Sequence, residues 1–337
     1  MNAATEADEI SEIAFGFMGS KALFLALDLD IFSYLSSGPK TAAEVAGHAD
    51  IHADRAETLL TALTGLRLLT VEEGAFSNSP AAEAFLVKGA KYDFGDYLRL
   101  QVGKQMYPLM DQLAPAVKGE LEEEQTGSYE QWFSDEEEAR LYSESQHAGS
   151  LGPARQLARR LDLGAATKML DVGGGTGAFA ITFCKTFPDL KAVIVEFPNV
   201  AKLGRRYVEE AGLSDRIAYV DGNALKTGWP GGQDIVLMSY LLSGVPGDMH
   251  VGLIADAMEA LKPGGRLLIH DFMVHGDRSG PGLAALWQLQ HTAFTPEARS
   301  VDSETLAGEL VDAGFQGVSV GEMIPQMTML AEAVKPG

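Results

Sequence analysis

The sequence predicts a chain in two parts: a mainly helical, winged-helix front half and an α/β back half built on a mostly parallel sheet. Three observations carry this. Thr41-Ala-Ala-Glu44 has the form of a capping box and opens a short helix, after which a longer helix and a hairpin follow. From Lys168 onward short apolar runs alternate with helical stretches, as strands joined by crossover helices do. Gly173-Gly-Gly-Thr-Gly177 lies between the first of these runs and the first of these helices, where missing side chains let the backbone approach a ligand.

In chain order, Ile13–Leu35 carries Phe17, Phe24, Leu27, Ile31 and Leu35 at helical spacing and stops near Ser37-Gly-Pro39. The capping box starts a helix to Ala46, Ala53–Leu66 gives a longer one, and Leu68–Val71 with Ala75–Ser77 reads as the hairpin. Phe15, Phe17, Phe24 and Phe32 are hard to cover within one small domain, so a partner subunit is expected over them. Arg140–Leu161 reads as the helix joining the halves, with Tyr142 and Gln146 one turn apart on one face. Strands are expected at Lys168–Val172, Ala192–Glu196, Ile217–Asp221, Ile235–Tyr240 and Arg266–Asp271, with a final pair at Gly317–Val320 and Met327–Ala333. Ala178–Phe187, Val200–Glu210 and Asp248–Leu261 are the helices between them, and Leu261-Lys-Pro-Gly-Gly265 is a helix end and turn. The domain division is placed at 1–150 and 151–337.

Charge narrows the function. The chain has 26 Lys+Arg and 47 Asp+Glu, a net −21; residues 1–150 hold 10 basic and 26 acidic side chains, residues 151–337 hold 16 and 21. A winged helix in a half-chain at −16 would repel phosphates, so nucleic-acid binding is disfavoured, as is docking on an anionic membrane. The acidic stretches Glu120–Glu124 and Asp135–Glu138 read as solvated helix ends or loops. A single cysteine, Cys184, excludes an intrachain disulfide. No apolar run is read as a membrane span and the acidic Met1–Glu12 does not read as a signal peptide, so a cytoplasmic protein is expected.

The ends of the first three strands converge on one crevice. Asp171 and the glycine cluster end the first, Glu196 ends the second where a carboxylate can accept two ribose hydroxyls, and Asp221-Gly-Asn223 ends the third. Gly173-x-Gly175-x-x-Ala178 alone would also pass as a loose dinucleotide fingerprint. The whole series, closing with Leu-Lys-Pro-Gly-Gly265 and Ala-Gly-Phe315, resembles S-adenosylmethionine (SAM)-dependent methyltransferases. With the winged-helix front half it resembles the small-molecule O-methyltransferase family of plant caffeate and hydroxyindole enzymes and their bacterial relatives. That resemblance implies a Rossmann-like class I sheet of seven strands with the last antiparallel, and a homodimer made through the front half. It implies Asp171, Gly173 and Gly175 beside the methionine part of SAM, Glu196 on the ribose, Asn223 and Ala224 at the adenine, and Ser239 and Tyr240 against the cofactor.

The family's O-methyltransferases follow the fourth strand with His-Asp-Trp, whose histidine takes the proton of the attacking hydroxyl. Here Ser243, Gly244 and Val245 stand in those places, so no general base is expected there. Of the two carboxylates that orient the histidine, Asp271 keeps one, while Ala298 before Arg299 replaces the other. A thioether sulfur needs no base, and its methylation rests on positioning, worth up to roughly 7–11 kcal/mol, and on excluding water. Ser-Tyr-Leu-Leu-Ser-Gly-Val-Pro246 resembles the bacterial methylthiohydroxybutyrate S-methyltransferases of dimethylsulfoniopropionate synthesis. The implied reaction takes a thioether acid, 4-methylthio-2-hydroxybutyrate, to 4-dimethylsulfonio-2-hydroxybutyrate. Tyr142, Gln146 and His250 are then the candidate hydrogen-bonding groups for its carboxylate and hydroxyl, Trp287 and His291 the candidate walls. Phe15 or Phe17 of a partner would close the pocket. His270 and His275 are not read as metal ligands, because His270 points away from Asp271 on a strand and the chemistry needs no metal. The alternative is an O- or N-methyltransferase of a small aromatic metabolite with a relocated base, His250 or His291. A non-enzymatic regulator is the third reading.

Overall fold

The computed structural model describes residues 3–121, 129–295 and 297–337. They form two compact units, Met1–Pro108 and Leu109–Gly337. This division falls earlier than the 150/151 boundary that the charge change led us to expect.

In the first unit, α1 (Ala7–Asp28) and α2 (Ile31–Leu35) replace the single helix expected over 13–35. The break is at Asp30, whose φ of 54° is left-handed and cannot continue a right-handed helix. The capping box forms as read: Thr41 N–H donates to the Glu44 carboxylate at 2.8 Å and Glu44 N–H to Thr41 Oγ1 at 3.3 Å. It opens α3 (Ala42–Ala49), followed by α4 (Ala53–Gly65). The hairpin β2 (Leu69–Glu72) and β3 (Ala75–Asn78) takes the two-residue β1 (Lys40–Thr41) as a third strand in the order β1-β3-β2. Ser79 caps the short α5 (Pro80–Phe85), and a π-helical stretch covers Tyr97–Met106.

Phe32 is 1% exposed and Phe24 8%, so the domain's own core covers two of the four phenylalanines assigned to a partner. Phe15 and Phe17 stay more than half exposed, with Ile10, Ile13 and Met18 on the same helix. By length and composition α1 is also apolar enough to cross a membrane, contrary to the sequence expectation, with a mean hydropathy of 1.5 over its best 18 residues. Asp8, Glu9 and Glu12 near its start and Lys21 within it interrupt the apolar run in the sequence.

The chain passes to the second unit through α6 (Tyr107–Leu109), α7 (Leu113–Lys118) and α8 (Tyr129–Trp132). The long α9 (Glu136–Arg160) is capped by Asp135, which accepts from Glu138 N–H at 2.9 Å, so the acidic run 135–138 is a helix start that complements the dipole. The other acidic run falls partly on residues 122–124, outside the described residues.

The sheet strands are β4 (Lys168–Val172), β5 (Lys191–Glu196), β6 (Ile217–Asp221), β7 (Gln233–Ser239), β8 (Leu261–Asp271), β9 (Gln316–Ile324) and β10 (Thr328–Val334). Their order is β6-β5-β4-β7-β8-β10-β9, parallel from β6 to β8, with β10 antiparallel to both neighbours. Strand order reverses beside β4, so a crevice opens at the carboxyl ends of β4 and β7. Side chains alternate between two cores: Leu170, Val172, Val236 and Met238 enter one, Met169, Ile235, Leu237 and Leu268 the other. Around the sheet pack α10 (Ala178–Thr186), α11 (Pro198–Glu210), α12 (His250–Ala260), α13 (Gly282–Phe294) and α14 (Ser303–Asp312).

Candidate active site

A cavity of about 330 Å³ opens at this crevice, lined from within the second unit. One wall is the turn after β4. Gly175 there has a φ of +57°, which a side chain would strain, and a Cβ on Gly174 would stand 2.6 Å from the Asp171 carboxyl carbon. Glycine thus lets the backbone fold over an acid. Gly175 N–H donates to Glu196 Oε2 at 2.8 Å, and Phe197 N–H to Glu196 Oε1 at 2.7 Å. Neither carboxylate oxygen of Asp171 has a hydrogen-bond partner among the described residues. Burial, and then for Asp171 the neighbouring Glu196 charge, pushes both carboxyls up to about 7. Two buried acids without a bonded cation match a ligand that brings positive charge and hydroxyl donors, as SAM does with its ammonium, sulfonium and ribose.

A second wall is aromatic. Tyr129, Phe133, Tyr142 and Phe197 line the cavity, with ring centroids 5.4 Å apart for Tyr129–Phe133, 5.0 Å for Phe133–Tyr142 and 5.8 Å for Phe133–Phe197. Leu241, Gly244 and Val245 continue it. A Cβ on Gly244 would meet the Tyr129 ring at 2.9 Å and His291 at 3.6 Å, so this glycine is what lets the three segments close together.

The candidate residues divide accordingly. Asp171, Gly173, Gly175, Glu196, Asn223, Ala224, Ser239, Tyr240, Tyr142 and Gln146 all line the cavity. Asn223 uses one amide hydrogen and one lone pair within the chain: Nδ2 donates to Glu130 at 3.0 Å and Oδ1 accepts from Leu225 N–H at 2.9 Å. The Ser239 hydroxyl is bonded to His270 Nδ1 at 3.0 Å, and His270 Nε2 to Thr328 at 2.8 Å, on the opposite sheet face from Asp271 as expected.

His250 is not among the lining residues. It is 1% exposed, with Nε2 on the Leu242 carbonyl at 2.8 Å and Nδ1 beside Arg299 at 3.3 Å, which makes it a tie between α12 and the turn after β7. Trp287 also stands outside the lining, stacked on Phe272 at 4.3 Å. His291 sits one layer behind Gly244. Ser243 faces inward: its N–H and hydroxyl donate to the two oxygens of the buried Asp271 at 3.0 and 2.7 Å. Asp271 therefore orients the turn in which serine stands where the family carries histidine.

Sequence reading missed His147, Ser143 and Ser150, although with Gln146 they keep the i, i+3, i+4, i+7 spacing of one helix face. His147 Nδ1 lies 2.7 Å from Thr176 in the glycine turn, and its ring stacks on Tyr207 at 4.1 Å. Burial and the Lys185 charge lower it to about 4. Tyr129, Phe133 and Thr295 were also missed, and no local pattern marks them.

The O-methyltransferase domain family model matches residues 111–316, and the O-methyltransferase dimerisation domain model matches residues 11–88. The chain is 30% identical over 281 residues to 3-hydroxy-5-methyl-1-naphthoate 3-O-methyltransferase of Streptomyces sahachiroi, covering 83% of this chain and 81% of that one. It is 30% identical over 346 residues to the N,N-dimethyltransferase OxyT of Streptomyces rimosus, covering 98% and 97%. Human N-acetylserotonin methyltransferase in complex with SAM shares the fold at a TM-score of 0.84, with 23% identity and full coverage of both chains. The glycine turn over two buried acids, the seven-stranded sheet and these matches lead to one statement: the chain belongs to the SAM-dependent O-methyltransferase family and is a methyltransferase.

Proposed function

We propose that the protein methylates an oxygen or nitrogen of a small aromatic metabolite. The observation that carries this is the aromatic wall, where Tyr129, Phe133, Tyr142 and Phe197 offer ring faces and edges to a flat acceptor. Relatives named as acting on a naphthoate oxygen and as an N,N-dimethyltransferase support the same chemistry. The thioether-acid reading is less well supported, since His250, its main anchor for a carboxylate, is spent on Leu242 and Arg299.

Bound SAM supplies a methyl group on a cationic sulfur. Asp171 would take the methionine ammonium with its unpartnered oxygens, and Glu196, held by two backbone N–H groups, would accept from the ribose. Ala224 would lie along the adenine, with Asn223 bracing that turn through Leu225 and Glu130 rather than reading the base. Ser239 and Tyr240 would close the floor. Gln146 and Tyr142 would orient the acceptor, whose ring excludes water from the transfer line. We further propose a homodimer through the first unit, whose α1 exposes Ile13, Phe15, Phe17 and Met18.

Incubation with labelled SAM and a panel of phenols, anilines and 4-methylthio-2-hydroxybutyrate tests the reading. S-adenosylhomocysteine (SAH) release with aromatic acceptors is the expected outcome. Release with the thioether acid alone would overturn it.

A further inference from the structure

His291 and Thr295 stand one turn apart at the end of α13, joined by a backbone hydrogen bond of 2.7 Å. Each is nearly sealed from solvent, at 3% and 4% exposure. Each also holds a buried polar atom, His291 Nδ1 and Thr295 Oγ1, with no hydrogen-bond partner among the described residues. Buried groups of this kind are costly and rarely kept without a purpose. Thr295 lines the cavity, and His291 lies against Gly244, where a Cβ would come within 3.6 Å of its ring. Thr295 thus brings one unmet hydrogen bond to the cavity wall, and His291 holds the other directly behind that wall, its ring beside Gly244 and 6.4 Å from the Tyr129 ring that covers it.

The geometry points to His291 as the group that takes the proton of an acceptor hydroxyl, with Thr295 holding the same oxygen; this rests on the aromatic-acceptor reading above. Burial keeps the imidazole neutral, lowered to about 4, so a ring lone pair is free at neutral pH. The acceptor oxygen forms the bond to the methyl carbon, the sulfur–methyl bond breaks with its pair left on sulfur, and the O–H proton passes to His291. The positive charge lost by sulfur is the charge gained by imidazole, so the cavity as a whole gains no net charge through the step.

The experiment compares the wild type with His291→Ala and Thr295→Val on phenols running from pKa ~10 down to nitrophenols already ionised at the assay pH. For His291→Ala the expected loss is about 10²-fold or more with the high-pKa phenols. That loss shrinks towards none as the acceptor becomes pre-ionised. Thr295→Val should weaken acceptor binding severalfold with the pKa dependence kept. A loss for His291→Ala that is equal across the phenols overturns the assignment while leaving the aromatic reading intact. Turnover of a thioether acid but of no phenol overturns both.

Discussion

The glycine wall of the cavity and its aromatic wall are built by different means. The first comes from one contiguous stretch, Asp171 to Gly177, and one neighbouring strand end, Glu196, set side by side by parallel pairing of β4 with β5. The second draws on residues 129–133, 142–147 and 241–246 with Thr295 and Glu297, stretches that meet only after the sheet and its helices have packed. The first wall keeps buried charge waiting for a ligand of opposite sign; the second offers ring surface with a few unmet hydrogen bonds. On the proposed reading the methyl donor is held by the wall encoded locally, and the acceptor meets the wall assembled from distant parts.

The sharpest way to separate the walls is Asp171→Asn. Removing a buried charge that faces a cationic ligand should weaken SAM binding about 10²-fold or more by calorimetry. The same change relieves the uncompensated acid in the ligand-free protein, so its melting temperature at pH 8 should rise, by about 2–4 °C for each kcal/mol relieved. A fall in both would show that Asp171 is structural.

Next in size is the pH dependence of the donor wall. A carboxyl raised to about 7 in the folded chain keeps a proton that the unfolded chain has already released. Ligand-free stability should therefore fall as pH climbs from the ordinary carboxylate range to about 7, and level off above it. Binding of SAM needs the ionised acids, so its affinity should rise by about tenfold per pH unit below that point for one proton released. Equal enthalpies in buffers of different ionisation heat would contradict proton release.

On the acceptor wall, Gly244→Ala places a methyl group against the Tyr129 ring. About a tenfold rise in acceptor KM with an unchanged SAM affinity would mark the walls as independent; a matching loss of SAM affinity would show them coupled. The smallest functional effect is expected from His250→Ala. It should cost about 1–3 kcal/mol of stability through the orphaned Leu242 carbonyl and the Arg299 contact, and leave acceptor KM unchanged. A large rise in KM would return His250 to the site.

Much of this fold was legible because local pattern and global packing agree. The capping box at Thr41, the strands at 168–172 and 217–221, and the glycine turn are each specified by neighbours in sequence. Where the reading slipped, a local signal was overruled from a distance. Asp30 interrupts an apolar period, and Phe24 and Phe32 find cover in their own domain rather than a partner. His250, two residues past a helix start in the sequence, turns inward to a carbonyl eight residues back.

By itself the sequence determined the sheet, the glycine turn and the two acids at the ends of β4 and β5, because strand periodicity and a tight turn are short-range properties of the backbone. Only the tertiary structure decided that His250 is a structural tie while His291 lies behind the cavity wall, that Asn223 also bonds Glu130 and Leu225, and that Tyr129 fills the gap at Gly244. Apart from the bonds of His250 to Leu242 and of Asn223 to Leu225, those outcomes bring together groups more than forty residues apart that share the same few ångströms of space, and no sequence window contains that meeting.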